Sequence, residues 1–119
     1  MVIVKVDEKK NILVLECVGY IPTNEALTAA ILFDQEIKKL KPEFVVLSNI
    51  KNLTSSTRQA RIILQFAMRK IETLSPKKII RVVKNYNGAL FFDRAEQTAK
   101  IEYLIHRVNS EKEASYLLS

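Results

Sequence analysis

The chain has 119 residues, a net charge of +6 at neutral pH, 48% hydrophobic residues, and only two glycines and three prolines. This composition predicts one folded domain spanning residues 1–119 and excludes a disordered or linker-rich chain. No apolar run reaches the ~20 residues of a membrane span, the N-terminus lacks the features of a signal peptide, and the single cysteine excludes an internal disulfide. We therefore expect a cytoplasmic protein.

The first forty residues predict two strands and a helix. Val2–Val6 and Ile12–Val18 are rich in β-branched and apolar residues, and the polar stretch between them forms a hairpin turn. Thr23 or Asn24 is expected to cap the helix that follows. The residues at core spacing in this helix are Ala26, Ala30, Phe33, Ile37 and Leu40, with Leu27 and Ile31 widening the buried side.

The rest of the chain alternates strands and helices. The predicted strands are Phe44–Leu47, which is short and wholly apolar, Lys78–Lys84, and the more polar Ile101–Val108, which suits an edge. The predicted helices are Arg58–Leu74, Ala89–Lys100 and Glu111–Leu118, the last preceded by a capping box of Ser110 and Glu113.

This alternation predicts an α/β fold. Strands separated by helices pair in parallel through right-handed crossovers, so only the first hairpin should be antiparallel. We expect one mixed five-stranded sheet, with the strands in chain order, and four helices.

The most informative stretch runs from Glu43 to Leu74. The polar residues from Ser48 to Thr57 predict a hydroxyl-rich loop between a buried strand and a long helix. The residues that could cap this helix are Thr54, Ser55, Ser56 and Thr57. Arg58 and Arg61 then place cations at the helix end that disfavours them, which indicates a surface for anions or acidic partners.

The distribution of charge supports this interpretation. Between Lys38 and Lys84 there are twelve basic residues against Glu43 and Glu72, a net charge of +10. Cations at the ends of helices complement the helix dipole and explain about half of them. The cations that this argument does not explain are Lys51, Arg58, Arg61, Arg81 and Lys84. We therefore assign partner or anion binding to Lys51, Thr54, Thr57, Arg58, Arg61 and Lys84.

Two apolar residues of the long helix lie off its core stripe. Ile62 and Phe66 are one turn apart. They either widen the core face or form a contact patch for a partner helix, and in the second case a homodimer through this pair is one alternative.

In its element order, the chain resembles the STAS domain, and in particular the SpoIIAA-like branch, over nearly its whole length. The resemblance rests on the N-terminal hairpin, the turn from Gly19 to Glu25 and the strand-loop-helix unit from Phe44 to Leu64. It also rests on the strand from Lys77 to Val83 and on the closing helix. It implies a module that regulates a protein partner, such as a kinase or an anti-sigma factor, in the manner of anti-sigma-factor antagonists.

The family's regulators carry an Asp-Ser-(Ser/Thr)-Gly motif at the start of the second helix, and a partner kinase phosphorylates its hydroxyl. The matching residues here are Thr54-Ser55-Ser56-Thr57, so the serines are present and the Asp and Gly are absent. The resemblance implies a phosphoacceptor at Ser56, with Ser55 second.

Catalytic constellations are not evident in the sequence. His106 is the single histidine, Cys17 lies in a strand pattern, and no spacing suggests a zinc site. Glu16 is the one acid inside an apolar strand, where it either faces outward or is buried with a raised pKa. We expect no enzyme activity, no cofactor and no metal.

Two other function classes stay open. The basic middle third suits charge-driven binding of nucleic acid, although it lacks interleaved aromatics or a known signature. The resemblance also implies a small apolar-ligand carrier, since some relatives of this fold are linked with lipid binding. The residues of the third predicted helix that could line or gate such a pocket are Tyr86, Leu90, Phe91 and Phe92. The reading that we favour is a non-enzymatic interaction module that docks partners through residues 48–61.

Overall fold

A computed structural model describes residues 1–84 and 105–118 of the chain. The strands are β1 (Val2–Asp7), β2 (Ile12–Ile21), β3 (Val45–Ser56), β4 (Lys78–Val82) and β5 (Ile105–Val108). The α-helices of the described residues are α1 (Thr23–Glu36), α2 (Arg58–Thr73) and α3 (Glu111–Leu118), and a short 3-10 turn, Ile37–Lys39, follows α1.

The five strands form one sheet in the order β1-β2-β3-β4-β5. β1 and β2 pair antiparallel, and the pairs β2–β3, β3–β4 and β4–β5 are parallel. The predicted α/β architecture and mixed sheet are therefore confirmed. The structure shows three α-helices where four were predicted, since the predicted helix Ala89–Lys100 lies outside the described residues.

The two faces of the sheet have separate cores. One face packs against α1 and α2, and its buried centre includes Leu13, Val46 and Ile79 from the strands, Phe33 from α1 and Ile71 from α2. The other face packs against α3, where Ile80, Val82 and Val108 surround Ala114. Strands that are covered on both faces need apolar residues at successive positions, which explains the continuous apolar runs in the sequence.

The prediction of a loop from Ser48 to Thr57 was wrong, because β3 continues to Ser56. β2 also runs three residues past its predicted end, to Ile21, and pairs with β3 as far as Ser56. The register shifts twice along this stretch, so β3 contains two residues more than β2, and Gly19 takes a φ of +71° there. A residue with a Cβ would be strained at that angle, which accounts for the glycine.

Details of the helices also differ from the prediction. The N-cap of α1 is Pro22, without a side-chain hydrogen bond, rather than Thr23 or Asn24. Ala29 joins Ala26 and Phe33 in the core, whereas Leu27 and Ile31 are 52% and 63% exposed and do not widen it. Helical periodicity identified the buried side of α1 but not its width.

The last two elements agree with the prediction. β5 is an edge strand over Ile105–Val108, while residues 101–104 of the predicted strand Ile101–Val108 lie outside the described residues, and α3 spans Glu111–Leu118 as expected. The Glu113 amide donates to Ser110 Oγ at 3.2 Å, the first half of the capping box, while the Glu113 carboxylate accepts from the Asn109 amide instead of that of Ser110. Within the described ranges, no helix is long and apolar enough to cross a bilayer.

Candidate functional site

The ends of β2 and β3 meet the starts of α1 and α2 at one edge of the sheet. Ser56, the last residue of β3, lies opposite Ile21, the last residue of β2. The Thr57 amide then donates to the Ile21 carbonyl at 3.1 Å, so the two strands stay joined up to the start of α2. Parallel strands bring the helix starts that follow them to the same edge, which makes it a common position for binding sites.

Thr57 is the N-cap of α2. Its Oγ1 accepts a hydrogen bond from the Ala60 amide at 3.0 Å and lies 2.7 Å from Thr23 Oγ1, in the first turn of α1. One of four candidate residues thus caps the helix, and the same hydroxyl links the two helix starts. The partial positive charges of two helix N-termini therefore lie side by side.

The other three hydroxyls belong to the end of β3. Thr54 and Ser55 are exposed, and Ser55 lies opposite Tyr20, which is 55% exposed. Ser56 is half-buried beside Ile21. Residues that lie opposite in a ladder share a face of the sheet, so the two serines point to opposite faces and only Ser55 is well exposed.

The first turn of α2 is cationic. Arg58 and Arg61 are both exposed, no acidic side chain lies in that turn, and Ala60 between them is fully buried. The helix dipole and two guanidinium groups together favour an anionic group at this position. We call Thr54, Ser55, Ser56, Thr57, Arg58 and Arg61 the helix-start surface.

Lys51 lies apart from these arginines. Its ammonium group pairs with Glu111 of α3 at 3.6 Å. Asn49 joins the same cluster, since its Nδ2 donates to Glu16 at 3.2 Å and to Glu111 at 3.3 Å. Hydrogen bonds from the Glu111 amide and Asn49, together with the charge of Lys51, lower the pKa of the Glu111 carboxyl. Lys51 therefore helps to hold α3 against the sheet.

The two cations of the fourth strand region also lie away from the helix-start surface. β4 ends at Val82, opposite Asn49, and β3 continues seven residues farther, to Ser56. Lys84, which is exposed, thus stands beside the middle of β3 rather than its end. Arg81 is fully buried between Ser48 and Arg107 in the ladder, and is part of the interior rather than of a surface for anions.

The residues considered for catalysis are dispersed. Cys17 is buried, and this burial raises the pKa of its thiol from 9.0 to about 11. His106 is exposed on β5. Glu16 is half-buried and accepts a hydrogen bond from Asn49. Among residues 1–84 and 105–118, no three His, Cys, Asp or Glu side chains are grouped so as to hold a metal ion.

The space inside the described part of the fold is small. An apolar cavity of about 30 Å³ lies between the sheet and the two large helices, next to Phe33, Leu64 and Met68. Pockets for drug-sized ligands measure about 300–1,000 Å³, so this cavity does not hold a lipid. A more open depression of about 530 Å³ lies on the α3 side, lined by Lys10, Ile12, Val45, Ser115 and Leu118. The residues predicted to line an apolar site, Tyr86, Leu90, Phe91 and Phe92, lie outside the described residues.

Ile62 and Phe66 point into solvent. Their exposed fractions are 42% and 61%, so of the two alternatives for this pair the wide core face on α2 does not hold. The core of α2 is formed by Ala60, Leu64, Met68 and Ile71 instead. The other alternative, a contact patch for a partner, stays a prediction.

The chain superimposes on the anti-sigma factor antagonist SpoIIAA in its unphosphorylated form with a TM-score of 0.66, at 9% sequence identity, over 98% of this chain and 94% of that one. The chain has the SpoIIAA-like fold. A DUF3478-family protein with a SpoIIAA-like fold from Shewanella loihica matches with a TM-score of 0.72 and 12% identity, covering 100% of this chain and 93% of that one.

No family model and no curated protein matches the chain. At these identities the structural matches establish the fold, so the role of the helix-start surface has to be argued from its own geometry.

Proposed function

We propose that this chain is a non-enzymatic regulatory module of the cytoplasm that binds a protein partner through residues 48–61, with the helix-start surface at the centre of the contact. The observation that carries this proposal is the Thr23–Thr57 hydrogen bond at 2.7 Å, which holds two helix N-termini together beside exposed Arg58 and Arg61. An acidic side chain or a phosphate would be stabilised there by amides, dipoles and guanidinium groups.

The partner that suits this surface is a kinase or an anti-sigma-like protein, by analogy with the anti-sigma factor antagonist of the same fold. This is an analogy of fold alone, at 9% identity. The sequence predicted partner binding by Lys51 and Lys84 together with the two arginines. Because Lys51 lies in the middle of β3 and Lys84 lies beside it, these lysines would contact only the periphery of the bound partner.

We further propose that a serine of this surface is a phosphoacceptor, with Ser56 first in the family pattern and Ser55 second. Ser55 is the more exposed of the two, which favours it as a kinase substrate, whereas Ser56 lies nearer the capped start of α2. A phosphate on either serine would add nearly two negative charges close to Arg58.

The experiment compares the unmodified chain with Ser55→Asp, Ser56→Asp and the double variant Arg58→Ala/Arg61→Ala. Partners are first recovered from extract of the protein's own cells, and phosphate is mapped by mass spectrometry. We expect the arginine variant to weaken partner binding at least about tenfold, because it removes two charged contacts. Its melting temperature should not change, since both side chains are exposed.

The matched control is Lys9→Ala/Lys10→Ala, which removes two exposed cations from the β1–β2 turn. The proposal fails if the arginine variant and both aspartate variants bind every recovered partner as the unmodified chain does. It also fails if the lysine control weakens binding equally, because net charge alone would then be responsible.

A further inference from the structure

Four exposed apolar side chains lie on the outer side of α1 and α2. Leu27 and Ile31 of α1 are 52% and 63% exposed, and Ile62 and Phe66 of α2 are 42% and 61% exposed. We call these four residues the outer helical patch. Each pair is four residues apart, so each forms one stripe along its helix.

An ion pair shows that the two stripes are neighbours. Asp34 continues the stripe of α1, three residues after Ile31, and Lys70 continues that of α2, four residues after Phe66. The Asp34 carboxylate and the Lys70 ammonium group are 2.6 Å apart. At the opposite end, the Thr23 and Thr57 hydroxyls join the two helix starts. The stripes therefore border a single groove between parallel helices.

The floor and length of this groove suit another helix. Ala30, Ile63 and Ala67 are half-buried, and they belong to the sides on which α1 and α2 face each other. From Thr23 to Asp34 a helix rises about 17 Å, or three turns. A third helix packs into such a groove by placing apolar residues at i, i+4 and i+7 between the two ridges.

The charges around the patch set the chemistry of the occupant. α2 carries Arg58, Arg61, Arg69 and Lys70 against one acid, Glu72. Arg69 lies over the ring of Phe66, with its guanidinium carbon 5.9 Å from the ring centre. The acids of α1 are engaged elsewhere: Glu25 with the N-terminal amine, Asp34 with Lys70, and Glu36 with Lys39.

We propose that the outer helical patch is the docking groove for an acidic amphipathic helix of a partner protein, about three turns long, whose carboxylates face Arg69 and Arg58 on the α2 side. The groove shares only Arg58 with the helix-start surface, and its apolar ridges and Arg69 lie farther along the helices. The occupant needs an apolar stripe for Ile31, Ile62 and Phe66 and acids on one flank.

Charge complementarity disfavours a second copy of this chain as the occupant. In a two-fold dimer, the outer helical patch of one copy would lie against the same patch of the other. The arginines of α2 would then face each other, because the acids of α1 are already paired with other groups. A flat bilayer is also a poorer fit, because it would touch the ridges but leave the groove between them unfilled. Both helices also lack the Trp and Tyr residues typical of membrane interfaces.

The test uses the full chain and a displayed library of helical peptides about 14 residues long. Leucine is fixed at i, i+4, i+7 and i+11, and the other positions vary among Glu, Lys, Gln and Ala. We expect binders to be enriched in Glu over Lys on one flank. Phe66→Ser should weaken their binding by at least about tenfold, and Arg69→Glu should reverse the preference from Glu to Lys.

Matched controls separate this groove from a general stickiness of the surface. Leu32→Ser removes an exposed apolar residue (40%) from the other side of α1, and Lys5→Glu reverses an exposed cation on β1. Both should leave peptide binding unchanged. Arg58→Ala/Arg61→Ala should weaken it less than Arg69→Glu, which distinguishes failure here from failure of the helix-start surface.

The proposal fails if the library shows no enrichment in acids, or if the binders are indifferent to Phe66→Ser. It also fails if sedimentation equilibrium shows a dimer that Phe66→Ser dissociates, or if the chain sediments with phosphatidylcholine/phosphatidylserine vesicles in a way that depends on Phe66. Phe66 is largely exposed, so its replacement by serine should preserve the fold, which circular dichroism would verify.

Discussion

The hydroxyl of Thr57 both caps α2, by accepting from the Ala60 amide, and lies 2.7 Å from Thr23 Oγ1 at the start of α1. The sequence predicted a capped helix near Arg58, and this was correct. It could not choose among four hydroxyl residues, because the choice depends on where β3 ends. Pairing with β2 extends that strand to Ser56, so Thr57 is the first residue free to cap.

Replacing Thr57 by alanine should destabilise the fold by about 1–2 kcal/mol, the usual cost of losing an N-cap hydroxyl. The variant would lose the acceptor for the Ala60 amide and the link to Thr23. Urea unfolding followed by circular dichroism would measure the difference. Thr54→Ala is the control, since Thr54 is exposed on β3, and it should change the free energy of unfolding by less than about 0.5 kcal/mol.

Cys17 was predicted as a small buried residue of a strand, and the structure agrees. Burial removes water from the thiolate more than from the thiol, so it raises the pKa to about 11. The thiol should therefore be inert near neutral pH.

The pH dependence of this thiol gives a second prediction. Between pH 9.0 and about 11 the unfolded chain loses the Cys17 proton while the folded chain keeps it, so stability falls as the pH rises through this range. The free energy of unfolding falls by about 3 kcal/mol at most. Below pH 9 the thiol is protonated in both states, so none of this stability is lost there. Urea unfolding would measure the free energy of unfolding at pH 8 and at pH 10.5. The fall between the two pH values should be smaller for Cys17→Ala than for the unmodified chain. An equal fall in both would contradict the raised pKa of Cys17.

At the scale of elements, the long periodic segments were predictable and the hydroxyl-rich one was not. Arg58–Thr73 matched its pattern to within a residue. The stretch from Ser48 to Ser56 reads as a loop because serine and asparagine favour turns, yet the ladder with β2 satisfies its backbone. Tertiary pairing outweighs local preference there.

Element exposure was harder to predict than element type. Leu27, Ile31, Ile62 and Phe66 fit helical spacing as well as core residues do, so periodicity placed two of them in the core and left the others undecided. Whether an apolar residue of a helix is buried depends on what packs against that side of the helix. The sequence of one chain does not contain this information.

The last helix offers a test at this scale. Ala114 is 2% exposed and lies against Ile80, Val82 and Val108, so Ala114→Asp would bury a charge without a partner. We expect a loss of more than about 2 kcal/mol, with residues 110–118 becoming sensitive to protease before the rest of the chain. Lys112→Asp, two residues before Ala114 but exposed, should remain near the stability of the unmodified chain. A similar loss of stability in both variants would argue against packing as the cause.

At the scale of the whole molecule, topology was the most predictable property. Strands that alternate with helices leave few arrangements, and the sheet order and the single antiparallel pair followed from that alternation. The distribution of cations over the surface was not predictable in the same way. Arg81 is interior, Lys51 is ion-paired, and α2 carries an arginine-rich side.

The net charge of +6 allows a test between a protein partner and nucleic acid. We expect weak binding to duplex DNA without sequence preference, falling steeply between about 50 and 300 mM salt as released counterions cease to favour it. Fluorescence anisotropy with two unrelated duplexes would measure it. Tight binding to one defined sequence that survives about 0.3 M salt would instead place the chain among sequence-specific nucleic-acid-binding proteins.

The agreement between strand order and chain order has a consequence for synthesis. Each strand pairs with the one made just before it, so the growing sheet never has to open to admit a later strand. Pairing between consecutive strands also keeps contacts close along the chain, which favours rapid folding. Until β4 is in place, however, the side of β3 that pairs with it is an unpaired edge, and until α3 is in place Val45 and Leu47 are uncovered on one face. We expect chains that end before β4 to bind chaperones or aggregate, and the released fragments 1–74 and 1–84 would measure this difference.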